Sequence, residues 1–232
     1  SPAADELLIR TAYSAISSGT ELLAYSGALP DNLTGDLTIA ALDGTLEYPL
    51  AYGYSLAGRV AAIGPDVDDR WMGRRVFVFH PHATHALVSV DDAMPIPESC
   101  SMLDAVLFPS METAVNFVHD GNPRVGSRVV VMGQGIVGLM TTAVLARHPL
   151  DALVTVDHYE LRQCLSRTFG ASACVAPGGG AQRIRDLLGD GEEAGSADLT
   201  YELSGNPEAI NTAIEASGYG STIVLGSWYG SK

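Results

Sequence analysis

One segment constrains this chain more than any other: Val129-Val130-Val131-Met132-Gly133-Gln134-Gly135-Ile136-Val137-Gly138. The apolar, β-branched run reads as a buried strand and Ile136 to Arg147 as a helix, so the glycines fall where one element gives way to the other. Each glycine then has a mechanical task. Gly133 permits a tight turn, Gly135 lets the backbone come close to a bound group, and Gly138 lets the helix lie against the strand. The helix begins with unsatisfied N–H groups and the positive end of its dipole, a place suited to a pyrophosphate. Such a turn without a ligand is the structural alternative, and the surrounding elements weigh against it.

A second signal stands in register with the first. The next strand, Leu153 to Val156, ends on Asp157, 19 positions after Gly138. A carboxylate there accepts hydrogen bonds from both hydroxyls of an adenosine ribose and repels a 2′-phosphate. NAD(H) is therefore expected over NADP(H), with Arg162 near enough in sequence to offset Asp157. The alternation continues with helices at Glu160 to Phe169, Ala181 to Leu188 and Pro207 to Ala216, between strands at Ala173 to Ala176, Leu199 to Leu203 and Thr222 to Leu225. Strand and helix in this rhythm imply right-handed crossovers and a parallel sheet covered on both faces. Gly178-Gly179-Gly180 and Gly189 to Gly195 read as surface loops.

The first half has another texture. Leu7-Leu8-Ile9, Ala57 to Ile63, Arg75 to Phe79 and Ala86 to Val90 are short alternating stretches punctuated by Gly, Pro and Asp, which predict strands joined by turns. The expected boundary follows residue 120, at Gly121-Asn122-Pro123. The stretch from Pro30 to Tyr48 is expected as an exposed loop, with a lid over a bulky substrate as the alternative.

Composition closes off other classes. With 47% hydrophobic residues in 232, the chain has enough apolar mass for one large or two modest cores, which excludes a disordered tail. The 27 acidic against 13 basic side chains give a net charge of −14, which argues against nucleic acid as a partner. Twelve of the 13 basic residues are arginine, a balance that fits a salt-adapted surface or an Arg-rich codon usage; a melting temperature that rises with molar salt would select the first. No uncharged apolar run is long enough for a membrane helix, and the start has no basic end followed by an apolar stretch. Cys100, Cys164 and Cys174 are odd in number and unpaired in spacing, so neither a disulfide framework nor a zinc clamp is written; Cys164 and Cys174 are expected as small core residues, and a reducing cytoplasm as the compartment. His80-Pro81-His82-Ala83-Thr84-His85 could chelate a metal if it were a strand, but the proline and the lack of a nearby acid weigh against it.

These residues resemble the medium-chain dehydrogenase/reductase superfamily. The resemblance rests on Ala15-Ile16-Ser17-Ser18-Gly19-Thr20-Glu21, Tyr48 to Val60, Gly73-Arg74-Arg75-Val76, the glycine turn, Asp157 and Glu202-Leu203-Ser204-Gly205-Asn206-Pro207. The Ser-Gly-Thr-Glu and Gly-Ser-Trp-Tyr-Gly segments look most like the branch containing bacteriochlorophyllide dehydrogenase. It implies an α/β chain: a GroES-like β-rich catalytic domain over 1–120, then a doubly wound Rossmann sheet over 121–232, incomplete because five of six strands are counted. It also implies that the chain starts late, at a second strand, and that about 100 further residues would finish the catalytic domain.

Zinc members usually place Cys at the position of Ser18, His at Tyr54, Glu at Ser55 and a third ligand near Pro109. Hydroxyls and a proline cannot replace thiolate and imidazole around zinc, so the expected enzyme works without metal. Hydrogen-bond donors must then serve the substrate oxygen, with Thr20 and Tyr54 foremost and Glu21 and Glu112 secondary. Loop hydrogen bonds and packing are their structural alternatives. Cofactor contacts implied by the resemblance are Gly133, Gln134, Gly135, Ile136, Val137, Gly138, Asp157, Arg162, Thr113, Ser204, Gly205 and Gly226, while Trp228 and Tyr229 wall the pocket or mark an interface. The expected activity is hydride transfer between NAD and a carbonyl or secondary alcohol, in a homodimer. An enoyl or quinone reductase and a non-catalytic dinucleotide-binding paralogue are the alternatives.

Overall fold

Two kinds of sheet, one antiparallel and one parallel, follow each other along the chain, as a computed structural model shows for residues 1–29, 42, 47–189 and 195–229. The Pro30 to Tyr48 expectation lies almost wholly outside these residues, as does most of the Gly189 to Gly195 loop. Contacts divide the chain at Pro109/Ser110 into two units.

The first unit holds β1 (Glu6–Ser14), β2 (Leu56–Ile63), β3 (Arg75–Val78), β4 (His85–Ser89) and β5 (Met94–Pro95) in the antiparallel order β4-β1-β2-β3-β5. Alternation sets the core: Leu7 and Ile9 from β1 meet Leu56 and Val60, Val76 and Val78, and Ala86 and Val88 on one buried face. Ser14, at the end of β1, pairs with Leu56. Short helices flank the sheet, α1 (Thr20–Tyr25) and α2 (Met102–Ala105). Phe77, Phe79 and Phe108 form an edge-on aromatic cluster with centroids 5.1 to 6.1 Å apart.

Helix α3 (Phe108–Gly121) begins in the first unit and runs into the second. It is longer than the sequence suggests, which reads mostly as strands and turns to residue 120 with a helix-like stretch after Cys100. Pro109 sits in its first turn, where the missing N–H costs nothing. The unit division thus falls at the start of this helix, and the sequence places the boundary at its end.

The second unit contains β6 (Arg128–Met132), α4 (Ile136–Leu145), β7 (Ala152–Val156), α5 (Glu160–Thr168), β8 (Ala173–Val175), α6 (Gly180–Leu188), β9 (Ala197–Glu202), α7 (Glu208–Ala216) and β10 (Ser217–Leu225). All five strands are parallel, in the order β10-β9-β6-β7-β8. The valine run of β6 explains the two layers of helices. Val130 and Met132 pack on one face with Ile184, Leu188, Ala213 and Ala216, while Val129 and Val131 pack on the other with Val118, Leu145 and Tyr201. Succession reverses direction between β6 and β9, whose carboxyl ends meet where Met132 pairs with Glu202, the place where open parallel sheets commonly bind ligands. Gly178-Gly179-Gly180 is not a loop: it completes a 3-10 turn and opens α6. Cys174 is buried as expected, but Cys164 is exposed on the outer face of α5. Among the described residues no helix is long and apolar enough to cross a membrane.

Candidate functional site

The turn between β6 and α4 has the geometry its glycines require. Gly133 takes φ +88°, and a Cβ there would lie 2.5 Å from Ser204 Cα, so both backbone conformation and space exclude a side chain. At Gly138 a Cβ would run into the carbonyl oxygen of Gly133, which is how α4 lies so close to the strand it follows. Gly135 differs: nothing stands within 4 Å of where its Cβ would be. It is the N-cap residue of α4 and no side chain caps the helix. The turn therefore presents open space in front of an uncapped helix start, which fits a dinucleotide pyrophosphate.

Asp157 is wired to this turn. Its Oδ2 accepts from the amide of Gln134 at 2.7 Å and its Oδ1 from the amide of Tyr159 at 2.8 Å. The Arg162 guanidinium lies 3.7 Å from Oδ2 and 4.7 Å from the centre of the Tyr159 ring. The Asp157 side chain is only 5% exposed, against 41% for Arg162, so the carboxylate is the buried partner of the pair and the guanidinium the solvent-facing one. Each carboxylate oxygen keeps a second lone pair for a hydroxyl donor. Gln134 serves the turn rather than its opening: its side chain is buried, donating to the Gly133 carbonyl at 3.1 Å and accepting from Thr142 Oγ1 at 3.0 Å.

Beside the turn the structure gathers Ser204, Gly205 and Gly226 around a residue the sequence did not single out as functional. Glu202 ends β9 and is fully buried. Its Oε1 accepts from the amide of Ser204 at 2.8 Å and from Ser204 Oγ at 2.5 Å, and its Oε2 accepts from the Tyr229 hydroxyl. Its carbonyl accepts from the Gly226 amide at 3.0 Å, and the Gly205 amide donates to Ser227 Oγ at 2.8 Å. Burial, then the bond to Glu202 and its charge, push the Tyr229 hydroxyl up to about 12. Trp228 is 40% exposed. On α3, Thr113 is half-buried, and Glu112 is exposed with its Oε1 accepting from Asn116 at 2.6 Å.

In the first unit, Thr20 opens α1 and Tyr54 stands edge-on to Tyr52 with centroids 6.5 Å apart. Glu21 is nearly buried and spends both oxygens: Oε1 accepts from the Ser17 amide at 2.8 Å, and Oε2 lies 2.6 Å from His82 Nε2. His82 is held from its other side by Ser14, whose Oγ lies 2.5 Å from Nδ1 and 2.8 Å from the Ser55 carbonyl. The imidazole stacks against Gly53, where φ is +115° and a Cβ would come within 2.7 Å of the ring.

The acid that the His80 to His85 segment lacks locally is thus Glu21, 61 positions away. The segment His80–Thr84 is a bend between β3 and β4, so its histidines do not share a strand face, and His80 Nδ1 meets the Pro81 carbonyl. A signal for the His82 contact was absent from the sequence, because β-pairing across the unit creates it. The positions that hold zinc in related enzymes do not fit a metal. Ser18 and Tyr54 offer hydroxyls, Ser55 is buried with its proton given to the Val106 carbonyl at 2.5 Å, and among the described residues no three His, Cys, Asp or Glu side chains are arranged to hold an ion.

No family model matches the chain. D-guloside 3-dehydrogenase of Escherichia coli (strain K12) is 27% identical over 234 residues, covering 95% of this chain and 66% of the relative. Among solved structures, a zinc-binding-type dehydrogenase from Sinorhizobium meliloti 1021 bound to NADP has a TM-score of 0.78 at 19% identity, over 100% of this chain and 72% of that one. A short chain alcohol dehydrogenase from E. coli CFT073 complexed with NADH has a TM-score of 0.74 at 19% identity, over 97% and 69%. The chain thus spans about two thirds of the length of these proteins. The sequence relatives of this chain are thus dehydrogenases and reductases of the alcohol dehydrogenase type, and its succession of an antiparallel sheet by a parallel Rossmann sheet is the fold of the solved structures it matches.

Proposed function

We propose that this protein is an oxidoreductase of the alcohol dehydrogenase type that joins a nicotinamide dinucleotide to the oxidation of a secondary alcohol, or the reduction of a carbonyl, in a small molecule. One observation carries the reading: the open space at Gly135 in front of the uncapped start of α4, beside a buried Asp157. When bound, the dinucleotide supplies the hydride donor or acceptor. Backbone amides at Gly135, Ile136 and Val137 face the pyrophosphate, and Asp157 takes the ribose hydroxyls. Thr113, Ser204, Gly205 and Gly226 complete the nucleotide's surroundings in the second unit. NAD(H) is the preferred form, because a 2′-phosphate would approach a carboxylate. No zinc takes part, and the substrate oxygen is served by hydroxyls, with Thr20 and Tyr54 the foremost donors and the carboxyls of Glu21 and Glu112 secondary candidates for relaying the proton. The guloside named for the relative supports a hydroxyl-rich substrate. A cytoplasmic homodimer belongs to the same reading.

Calorimetry with NADH and NADPH, followed by turnover of secondary alcohols, carbonyls, enoyl compounds and quinones, tests it. Tighter binding of NADH with oxidation of an alcohol is the expected result. Stronger binding of NADPH would remove the role given to Asp157, reduction confined to alkenes or quinones would change the reaction, and binding without turnover would leave a dinucleotide-binding paralogue.

A further inference from the structure

One row of the antiparallel sheet carries only basic side chains. Pairing sets Arg10 of β1 opposite His85 of β4 on one side and opposite Arg59 of β2 on the other, and it sets Arg59 opposite Arg75 of β3. Partners in such a register point to the same face of a sheet. Here it is the face away from the core of Leu7, Ile9, Val60 and Val76. Arg10, Arg59 and His85 are exposed, and Arg75 is half-buried. Adjacent strands lie about 4.8 Å apart, so the basic side chains follow one another at that spacing across β4-β1-β2-β3.

Acidic residues outnumber basic ones 27 to 13 in the chain, yet among the described residues none forms an ion pair with this row. Two positions along each strand, the same face carries Leu8, Leu87, Ala57 and Phe77. Like charges set directly opposite one another weaken a sheet. Other arginines have a carboxylate against them, Asp198 for Arg128 and Asp157 for Arg162. Arg75 has a structural task, its Nη1 donating to the Cys100 carbonyl at 3.1 Å and its Nη2 to the Pro97 carbonyl at 2.9 Å. Arg59 gives one N–H, from Nη1, to the Gly73 carbonyl at 3.1 Å, and the rest of its guanidinium donors remain for a ligand. Beside the row a groove of about 330 Å³ is lined by Arg10, Thr11, Ala12, Arg59 and Met102, all within the first unit. That volume is of the order of a small-molecule site.

We propose that this groove binds an organic phosphomonoester, whose phosphate is gripped by the guanidiniums of Arg10 and Arg59. The charge of Arg75 and the ring of His85 extend the row on either side. Geometry favours phosphate among anions. A carboxylate presents two oxygens in one plane and is satisfied by a single guanidinium fork. Two forks on neighbouring strands suit a group that offers three oxygens in different directions and carries nearly two negative charges. A long polyanion does not fit, because the row is one residue wide and the chain's net charge of −14 repels it. The groove has more room than a phosphate fills, so the organic part lies along Thr11, Ala12 and Met102. The site stands apart from the oxidoreductase reading and needs no chemistry at the phosphate.

Titration of the protein with glycerol phosphate and with inorganic phosphate, followed by calorimetry and by 1H–15N spectra, tests the site. Sodium chloride at equal ionic strength controls for screening, and acetate for anions in general. Saturable shifts at the amides of Arg10, Thr11, Ala12 and Arg59 are expected with glycerol phosphate and absent with chloride or acetate. Arg10→Gln and Arg59→Gln should each raise its Kd by about tenfold. Without phosphate the same variants should melt no lower than wild type, because a like charge has left the row, while losing the rise in melting temperature that the ligand gives the wild type. A merely structural arginine would lower melting with and without ligand alike. Shifts confined to residues 133–138 would assign the phosphate to the glycine turn and overturn the groove, as would shifts that chloride reproduces. Inorganic phosphate binding as tightly as glycerol phosphate would overturn the organic part of the proposal. None of these outcomes touches the oxidoreductase reading, which stands or falls with NADH, NADPH and turnover.

Discussion

Arg162 has two partners, and the balance between them bears on cofactor choice. Its guanidinium lies against the Tyr159 ring and reaches toward Asp157, while most of the charge it could meet in a ligand would sit on a 2′-phosphate. Arg162→Ala should therefore weaken NADPH binding by about tenfold or more, near the 1.4 kcal/mol of one charge-assisted contact, and change NADH binding by less than threefold. Paired titration calorimetry reads both, and equal losses would deny Arg162 any part in discrimination. Tyr229 offers a different check. Its hydroxyl, ordinarily ionising near 10, is pushed up to about 12 by burial and by Glu202, so the neutral form is favoured in the fold. Between pH 10 and 12 the unfolded chain binds fewer protons than the folded one, so stability is whole below pH 10 and declines as pH rises through that window. Tyr229→Phe should flatten the decline in melting temperature across it while lowering stability at neutral pH by about 1–3 kcal/mol, the cost of leaving a buried carboxylate oxygen unpaired.

Among elements, the contact between α4 and β6 is the most exacting. Gly138→Ala would push a methyl group into the Gly133 carbonyl, with backbone on both sides and nothing flexible to yield. The expected outcome is a loss of about 2–4 kcal/mol, as for other strained or overpacked sites, together with loss of dinucleotide binding. Gly135→Ala, which meets nothing within 4 Å, should leave the melting temperature nearly unchanged and impair binding alone. Thermal melts and calorimetry on the pair separate a packing glycine from one that makes room for a ligand. This precision was legible in the sequence because strand, glycines, helix and acid recur at fixed spacing and because the valines of β6 need burial on both faces. The full length of α3 was not legible, since the short alternating stretches before it set the reading of the first half as strands and turns. His82 was missed for another reason: its contacts with Glu21 and Ser14 span 61 and 68 positions and exist only once β1 and the β3–β4 bend are in place. Glu202 lay in a recognisable segment, but its burial depends on Tyr229 and Ser204 converging on it.

At the scale of the whole molecule, the two units have separate cores: the first holds His82 braced between Ser14 and Glu21, the second the glycine turn. Saturating NADH should slow hydrogen exchange at residues 128–157 by about the 2.7 kcal/mol expected at a hundredfold excess over Kd, and affect β1 to β5 much less. Uniform protection along the chain would place the ligand elsewhere. The bond from Asp157 to the Gln134 amide carries a practical corollary. Shortening that acid to serine or alanine, the obvious way to admit a 2′-phosphate, would also remove the acceptor that holds the Gln134 amide in the bend after β6. The swap would slacken the bend as it opened the sugar pocket, so conversion calls for a second substitution that returns an acceptor to Gln134.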